Sequence, residues 1–458
     1  MTQNERVIPV GGPQGAKRTK LAVAAWIGVA AMWAWIMYRM WRGAVLTETG
    51  DFNDFYFAAE ALRLGTDPYT SNRGGYLYPP LVAWLLQPLV WLGLVKAGVV
   101  WGVVNMLLTL VCMTLSVRLI AKALRGPCDA LTVGAVWLAT LALMLGPVQS
   151  ELEHGQTDVL VLTGLCVGLV LIERLPWLAG FALGLALLVK HHVIVFPAYL
   201  VIRRRWKTVI GMLLGGVFFA FLPAAGLGFA KAAGYLGQSY GYLFRLFGGE
   251  GAPEGINLHP ITWELSISIT SAMARFFDGP GGPSMALVGL ATLPVAGAVF
   301  LATWWIYRRH GVPMFVGRGG RAERVIMAVV LLEWCGVIIG LLAFSPQSIT
   351  RHTYIMLPMQ MLAAYVLLVK RPGACKWPLL AGVIGYQLAA RLPPGEEPFE
   401  AALTAWRHVS GATWFLLLMW LGLVWSALSF WRVGGGAVSA GAAEALTEHP
   451  VADAGAQT

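Results

Sequence analysis

The stretch MALVGLATLPVAGAVFLATWWIY, residues 285–307, contains no charged side chain. About 20 consecutive apolar residues in an α-helix cross the hydrocarbon core of a bilayer. The stretches 21–37, 208–229 and 411–431 have a similar length and also lack charge. Each is long enough to form a transmembrane helix, so lipid is the solvent that decides how this chain folds.

The composition of the whole chain supports this conclusion. Of its 458 residues, 57% are hydrophobic and 12% are charged, whereas a soluble domain carries about 25% charged residues. The first apolar stretch, 21–37, is rich in Trp and has no small-residue cleavage pattern, so we expect it to be retained rather than removed as a signal peptide. We predict an all-α polytopic membrane protein.

The apolar runs set the number of predicted transmembrane helices. A further run, 81–94, is short, contains Pro88 and follows Pro79-Pro80, so we expect an interfacial or re-entrant helix there. The remaining runs predict about twelve transmembrane helices, at 21–41, 97–119, 130–148, 158–172, 176–190, 192–202, 208–228, 284–307, 325–344, 352–369, 376–390 and 411–431.

Basic residues predict the orientation of these helices, because Lys and Arg gather in short cytoplasmic loops. If 81–94 does not cross the membrane, the basic clusters 17–20, 203–207 and 308–324 all fall on the cytoplasmic side. If it did cross, the 203–207 cluster would lie outside. Membrane topology therefore accounts for the net charge of +10, and we expect no nucleic-acid partner.

This topology divides the chain into three parts. We predict a cytoplasmic N-terminus at 1–20, a transmembrane domain at 21–431 and a disordered cytoplasmic tail at 432–458, which is rich in Ala and Gly. Within the transmembrane domain, two long external loops are expected at about 42–96 and 229–283.

The first external loop opens with an acidic and aromatic segment, GDFNDFYFAAEALRLG, residues 50–65. Its pattern predicts a short amphipathic helix on the membrane surface, with Asp51 near the start and Gly65 at the end. Asp51 can simply cap this helix, or it can act as a general base at the rim of an external site. Its position directly after the first transmembrane helix favours the second interpretation.

Other polar groups fall on the same predicted face. The turn 151–158 places three carboxylates, His154 and Gln156 between two transmembrane helices. Lys190 and His191 lie in an external hairpin, where the topology rule disfavours a cation. Lys190 therefore indicates binding of an anionic lipid head group such as a phosphate, although a Lys that only extends towards the interface is the simpler alternative.

The turn 345–354 adds Arg351 and His352 to this face, with the same alternative, and His259 adds an imidazole from the second large loop. One acid and several cations thus converge outside the membrane. Such a site can activate a hydroxyl while positive groups hold a phosphate leaving group. Glu333, inside the ninth predicted helix, has no evident partner, and we interpret it as a hydrogen-bonding group in helix packing.

Several motifs resemble glycosyltransferase family 87, the polyprenol-phosphate-mannose-dependent mannosyltransferases of the GT-C class of membrane glycosyltransferases. The resemblance covers about 45–370. It is carried by Asp51-Phe52, Phe55 to Ala59, Gly65, Pro68-Tyr69 and Tyr78-Pro79-Pro80, followed in order by Gly155-Gln156, the 180–190 run, Arg203 to Trp206, and Ser345-Pro346 with His352.

The resemblance implies a GT-C-like fold with external juxtamembrane helices, and an inverting transfer of a hexose, mannose, from a polyprenyl phosphate to a lipid or glycan acceptor. The reaction is expected at the outer face of a bacterial inner (plasma) membrane, in cell envelope biogenesis, with Asp51 as the base. The expected donor-phosphate ligands are Lys190, His191, Arg351 and His352, and the expected sugar or acceptor ligands are Asp54, Tyr56, Tyr78, His154, Gln156, Asp158 and His259.

This chain departs from the family pattern at a few positions. Asp158 stands where family members often carry Asn, Lys190 is followed by His rather than Pro, and 257–259 reads Asn-Leu-His. These differences leave the identity of the sugar and the acceptor open, as does the question of a divalent cation that bridges acid and phosphate. A transporter or flippase of a lipid-linked glycan is the alternative; it predicts internal repeats and charged pairs at the membrane midplane, and neither is evident.

Overall fold

The computed structural model describes residues 13–46, 50–70, 75–248, 259–315, 323–346, 348–370, 372–373, 376–391 and 400–433. Residues 1–12 of the predicted N-terminus, 257–258 of the second large loop and 434–458 of the predicted tail lie outside these ranges. The described residues form helices and no strands, so the predicted all-α class is confirmed. The α-helices are α1 Pro13–Val45, α2 Gly50–Leu64, α3 Pro80–Val90, α4 Leu94–Ala123, α5 Ala130–Glu153, α6 Asp158–Leu171, α7 Pro176–Val189, α8 Val195–Ile202, α9 Trp206–Phe221, α10 Ala224–Leu227, α11 Phe229–Gly248, α12 Ile269–Phe276, α13 Met285–Arg309, α14 Glu323–Phe344, α15 Leu357–Tyr365, α16 Lys376–Arg391, α17 Glu400–His408 and α18 Gly411–Val433.

Eight helical segments in the described ranges are long and apolar enough to cross a membrane, and they confirm a polytopic membrane protein. The predicted count of twelve is not confirmed. Helices α6 and α7 have 14 residues each, which rise only about 21 Å against a hydrocarbon core of about 30 Å. The segment 191–202 and helix α16 are also short. The eight segments are Gln14–Val45, Leu94–Ala123, Ala130–Glu153, Trp206–Leu227, Met285–Arg309, Met327–Phe344, Thr350–Lys370 and Gly411–Phe430.

Helix α2 forms where the sequence predicts a short helix. It is followed by Gly65, which has a φ of 75°, and it packs against α3. Seven of its side chains are buried. These side chains are Phe52, Phe55, Tyr56, Ala58, Ala59, Ala61 and Leu62. Helix α3 has 11 residues and is too short to cross the bilayer, as expected.

Glycines bring α7 against its two neighbours. A Cβ on Gly180 would lie 2.1 Å from the carbonyl oxygen of Thr208 in α9, and a Cβ on Gly164 of α6 would lie 2.6 Å from the carbonyl oxygen of Ala182. Small residues of this kind let membrane helices approach closely. The close packing fixes where α7 ends, and therefore the position of Lys190.

Glu333 has a buried partner, contrary to the expectation from the sequence that it has none. Its carboxylate forms an ion pair with Arg203 and accepts hydrogen bonds from the Tyr199 hydroxyl at 3.0 Å and the Phe315 backbone N–H at 2.7 Å. The side chains of Arg203 and Glu333 are 0% and 2% exposed. The partners are far from Glu333 in the sequence, so the sequence pattern around Glu333 could not reveal them.

Replacing Glu333 with Ala should strongly destabilise the fold, because Arg203 then loses the partner of its buried charge. Breaking such a pair costs about 3–5 kcal/mol. Thermal unfolding in detergent measures the effect. Arg18→Ala is the control, because Arg18 pairs with Asp129 at an exposed site, where a pair contributes about 0–1 kcal/mol. Equal shifts in the two variants would contradict the expectation.

Candidate active site

The start of α2 is fixed to the turn that follows α5. The backbone N–H of Phe52 donates to the carbonyl oxygen of His154 at 3.0 Å. Gly155 has a φ of 59°, and a Cβ there would lie 2.7 Å from the Cβ of Phe52, so only glycine fits. The Trp101 indole N–H donates to the carbonyl oxygen of Gly155 at 2.9 Å. Asp51 therefore lies directly beside this polar turn.

Asp51 forms an ion pair with Arg351, which lies 300 positions later in the chain. Arg351 Nη1 lies 2.6 Å from Asp51 Oδ2, and the two side chains are 28% and 21% exposed. Arg351 belongs to the 3₁₀-helix Thr350–Met356 that leads into α15. The structure thus brings together the predicted base and one predicted phosphate ligand, at a position that solvent reaches.

A second ion pair, between Lys190 and Asp158, is almost completely buried. Lys190 Nζ lies 2.7 Å from Asp158 Oδ1, and the side chains are 3% and 1% exposed. Lys190 follows the last residue of α7, and Asp158 is in the first turn of α6. The alternative of a Lys that extends towards the interface is therefore wrong. The positive charge of Lys190 is compensated by Asp158.

His191 is not a cation at neutral pH. Burial, with a smaller contribution from the charge of Lys190, lowers the pKa of His191 to about 4. Its ring lies 5.9 Å from the ring of Tyr240, and its Nδ1 atom has no hydrogen-bond partner among the described residues. His191 can donate a hydrogen bond to a phosphate, but it adds no positive charge.

Tyr78 is partly buried and interacts electrostatically with both ion pairs. The Lys190 Nζ atom lies 6.0 Å from the centre of its ring, and the ring of Phe55 lies 5.4 Å away on α2. Burial raises the pKa of the Tyr78 hydroxyl, which stays protonated at neutral pH. The hydroxyl is thus available as a hydrogen-bond donor near both pairs.

Asp54 is the second carboxylate of α2 near this site. Burial raises the pKa of Asp54 from 3.8 to about 6, against the effect of a hydrogen bond from Gly75, and the neighbouring Asp51 adds to the increase. Asp54 is therefore held in an environment that disfavours a second negative charge beside Asp51.

Two histidines, His259 and His352, lie near the Asp51–Arg351 pair. The His259 ring stacks on Trp263, with 3.7 Å between ring centres. Burial and the nearby Arg351 lower the pKa of His259, whereas Asp51 opposes this shift. His352 follows Arg351 in the 3₁₀-helix, and its Nδ1 atom accepts from the Ile349 N–H at 3.5 Å.

The family model for glycosyltransferase family 87 matches residues 76–318, more than half of the chain. The chain belongs to glycosyltransferase family 87. The resemblance found in the sequence is confirmed. Tyr78, Gln156, Asp158 and Lys190 lie within the matched residues of this family 87 glycosyltransferase, whereas Asp51 and Arg351 lie outside them.

Two curated relatives carry the same printed name, polyprenol-phosphate-mannose-dependent alpha-(1-2)-phosphatidylinositol mannoside mannosyltransferase. The protein from Mycolicibacterium smegmatis is 26% identical over 366 residues, which cover 77% of this chain and 76% of the relative. The protein from Mycobacterium tuberculosis is 27% identical over 382 residues, which cover 80% and 77% respectively. No solved structure gives a significant match.

In this family 87 chain, the structure also describes the surroundings of three predicted sugar or acceptor ligands, Tyr56, His154 and Gln156. The Tyr56 hydroxyl donates to the carbonyl oxygen of Val90 at 3.3 Å, away from the two ion pairs. His154 contributes its backbone carbonyl to Phe52. The Gln156 side chain is 1% exposed, and its amide atoms have no hydrogen-bond partner in the described part of the chain.

The remaining acids of the 151–158 turn have structural roles. Glu151 Oε1 accepts the backbone N–H of Val159 at 3.0 Å and so caps α6. Glu153 pairs with Arg39 at 2.9 Å.

The sequence analysis did not single out Trp263 as a residue near the site. It follows His259 by four positions, but neither its residue type nor its surroundings in the sequence distinguish it from the other tryptophans. Only its stacking on His259 in the structure places it near the site.

Among the described residues, no group of three or more His, Cys, Asp or Glu side chains could hold a metal ion.

Breaking the Lys190–Asp158 pair should cost more than removing both charges. Lys190→Met alone should lower the free energy of unfolding by about 3–5 kcal/mol, because it leaves Asp158 buried without a counter-charge. The double variant Lys190→Met/Asp158→Asn should regain most of this loss. Thermal unfolding of the single and double variants measures the coupling. Additive losses would show that the two side chains do not stabilise each other.

Asp54→Asn should stabilise the protein in a pH-dependent way. Because the folded-state pKa of Asp54 lies above 3.8, the wild type loses stability as the pH rises from about 4 through about 6. The variant lacks this loss, so its advantage should be near zero at pH 4 and largest above pH 6. Unfolding midpoints across this range measure it, and a gain independent of pH would contradict it.

Asp129→Asn is a control with the opposite sign. Burial alone would raise the pKa of Asp129, but hydrogen bonds from Thr132 and the nearby Arg18 lower it. Its ionised form therefore stabilises the fold at neutral pH. The substitution should cost stability at neutral pH, and this cost should shrink in acid.

Proposed function

We propose that this family 87 glycosyltransferase transfers mannose from a polyprenyl-phosphate mannose to a hydroxyl of a lipid or glycan acceptor, with inversion at the anomeric carbon. Family membership supports the reaction class. The printed names of the two relatives support the donor, and they name a phosphatidylinositol mannoside as acceptor for those proteins.

The observation that carries the proposal is the contact between Asp51 and Arg351. Asp51 takes the proton of the acceptor hydroxyl, whose oxygen attacks the anomeric carbon. The bond between that carbon and the phosphate oxygen breaks, and the phosphate leaves with the electron pair. Arg351 stabilises the negative charge of the departing polyprenyl phosphate.

The short distance between these side chains adds a step to this mechanism. A sugar cannot occupy the 2.6 Å between Asp51 and Arg351. Donor binding therefore separates the pair, because the donor phosphate replaces Asp51 as the partner of Arg351. The base is released when the donor is in place, which limits unproductive reactions of Asp51.

The other predicted ligands fit around this step. Tyr78 and the neutral His191 can donate hydrogen bonds to the phosphate or the sugar. Lys190 can approach a phosphate only if it shares its charge with Asp158. In this proposal, Asp54 and the amide of Gln156 orient hydroxyl groups of the substrates, and His352 follows Arg351 in the 3₁₀-helix.

We place the site on the periplasmic or exterior side of a bacterial inner (plasma) membrane. The distribution of basic clusters supports this orientation. A polyprenyl tail is itself a lipid, so it can lie between the helices while its head group reaches the Asp51–Arg351 pair. A flippase of a lipid-linked glycan is not favoured, because the chain belongs to a family of glycosyltransferases.

Asp51→Asn should abolish mannosyl transfer by the purified protein, because the amide cannot accept the hydroxyl proton. Loss of a general base typically costs about 10²–10⁴-fold in rate. The test incubates wild type and variant with polyprenyl-phosphate mannose and a phosphatidylinositol mannoside. Glu60→Gln is the matched control, because Glu60 lies on the same helix about 13 Å further along its axis. Full transfer by Asp51→Asn would refute the assignment of the base.

A further inference from the structure

A pair of stacked rings lies beside the Asp51–Arg351 pair and has no part in the mechanism above. The rings of His259 and Trp263 are 3.7 Å apart and nearly parallel, at 12°. Both residues are partly exposed. The charges of Arg351 and Asp51 both act on His259, so this stack is a neighbour of the proposed reacting groups.

The backbone under this stack is held firmly. The Trp263 N–H donates to the carbonyl oxygen of Pro260 at 3.0 Å, and the Trp263 carbonyl oxygen accepts from the Ser266 N–H at 3.0 Å. The same carbonyl accepts from Nη1 of Arg275 at 2.9 Å. A rigid aromatic surface binds a ligand with little loss of conformational entropy.

The segment that carries the stack is also bound to the turn that carries Arg351. The Ile267 N–H donates to the carbonyl oxygen of Ser348 at 2.6 Å, and the Ser348 N–H donates to the Ser266 hydroxyl at 3.1 Å. The position of the stacked rings is therefore set relative to Arg351, as a ligand platform for this reaction requires.

Aromatic rings of this kind suit the apolar face of a sugar. The C–H groups on one face of a pyranose pack against an aromatic ring, while its hydroxyls find polar partners around it, in the manner of binding sites lined by aromatic rings with a few polar groups. The Lys190–Asp158 pair is almost completely buried, whereas both rings of the stack are partly exposed. The stack is therefore accessible to an incoming acceptor.

We propose that Trp263, with His259 stacked on it, is the platform for a sugar ring of the acceptor, so that the acceptor is a glycoside rather than a simple alcohol. This proposal rests on the proposed function. Trp263 then determines acceptor affinity, and it has no role in the chemistry of donor cleavage.

The test measures KM for donor and acceptor separately, with polyprenyl-phosphate mannose and a phosphatidylinositol mannoside. Trp263→Ala should raise the acceptor KM at least tenfold and leave the donor KM within about twofold. Trp263→Phe, which keeps an aromatic ring and tests for misfolding, should raise it less. Trp91→Ala is the control, because Trp91 is 78% exposed and packs on Arg63 instead. It should leave both KM values unchanged.

An unchanged acceptor KM in Trp263→Ala overturns the proposal, and so does an increase confined to the donor KM. The latter result would assign the rings to the donor sugar. If Trp263→Ala and Trp91→Ala raised the acceptor KM equally, the two tryptophans would act only as membrane anchors. This result would also overturn the proposal.

A binding measurement without turnover separates this proposal from the proposed function. Octyl α-mannoside should bind wild-type protein in lipid nanodiscs at least tenfold more tightly than it binds Trp263→Ala, and octanol should not distinguish the two proteins. Equal binding of the mannoside overturns the platform. If wild type transfers no mannose but shows this difference in binding, the proposed function fails and the sugar platform stands.

Discussion

The buried ion pair between Lys190 and Asp158 is the interaction on which the site depends. A charge removed from water must be paired, and breaking such a pair is costly. Lys190 follows the last residue of α7, and Asp158 is the first residue of α6. The pair therefore holds the C-terminal end of α7 beside the N-terminal end of α6. Glycine contacts fix the same helices along their length. The turn beside Asp51 is thereby fixed as well.

The three basic side chains of the site, Lys190, His191 and Arg351, differ in charge and exposure. Lys190 is compensated and buried, and His191 is neutral because burial lowers its pKa. Arg351 is partly exposed, and the carboxylate it contacts is the proposed base. In the proposed mechanism, the donor phosphate and Asp51 compete for the guanidinium of Arg351, so that donor binding is coupled to the release of the base.

The sequence predicted the class of fold correctly, because the class depends on local composition. Apolar runs indicate lipid-facing helices whatever their partners are, and Asp51 was identified by its position after the first of them. The number of transmembrane helices was not confirmed, because an apolar run such as 158–172 shows no sign that its helix is short. Which groups pair could not be predicted: Arg351 is 300 positions from Asp51, and only the packing of α2, α5 and the 350–356 helix brings them together.

Arg275 links the region of Trp263 to the C-terminal helices. Its guanidinium donates to the carbonyl oxygens of Trp263 and His408 and to the Ser410 hydroxyl, so one side chain joins α12 to the turn between α17 and α18. That turn lies beyond the residues that the family model matches. In the proposed acceptor platform, changes in the C-terminal turn can therefore shift the stacked rings through Arg275 while Asp51 and Arg351 stay the same.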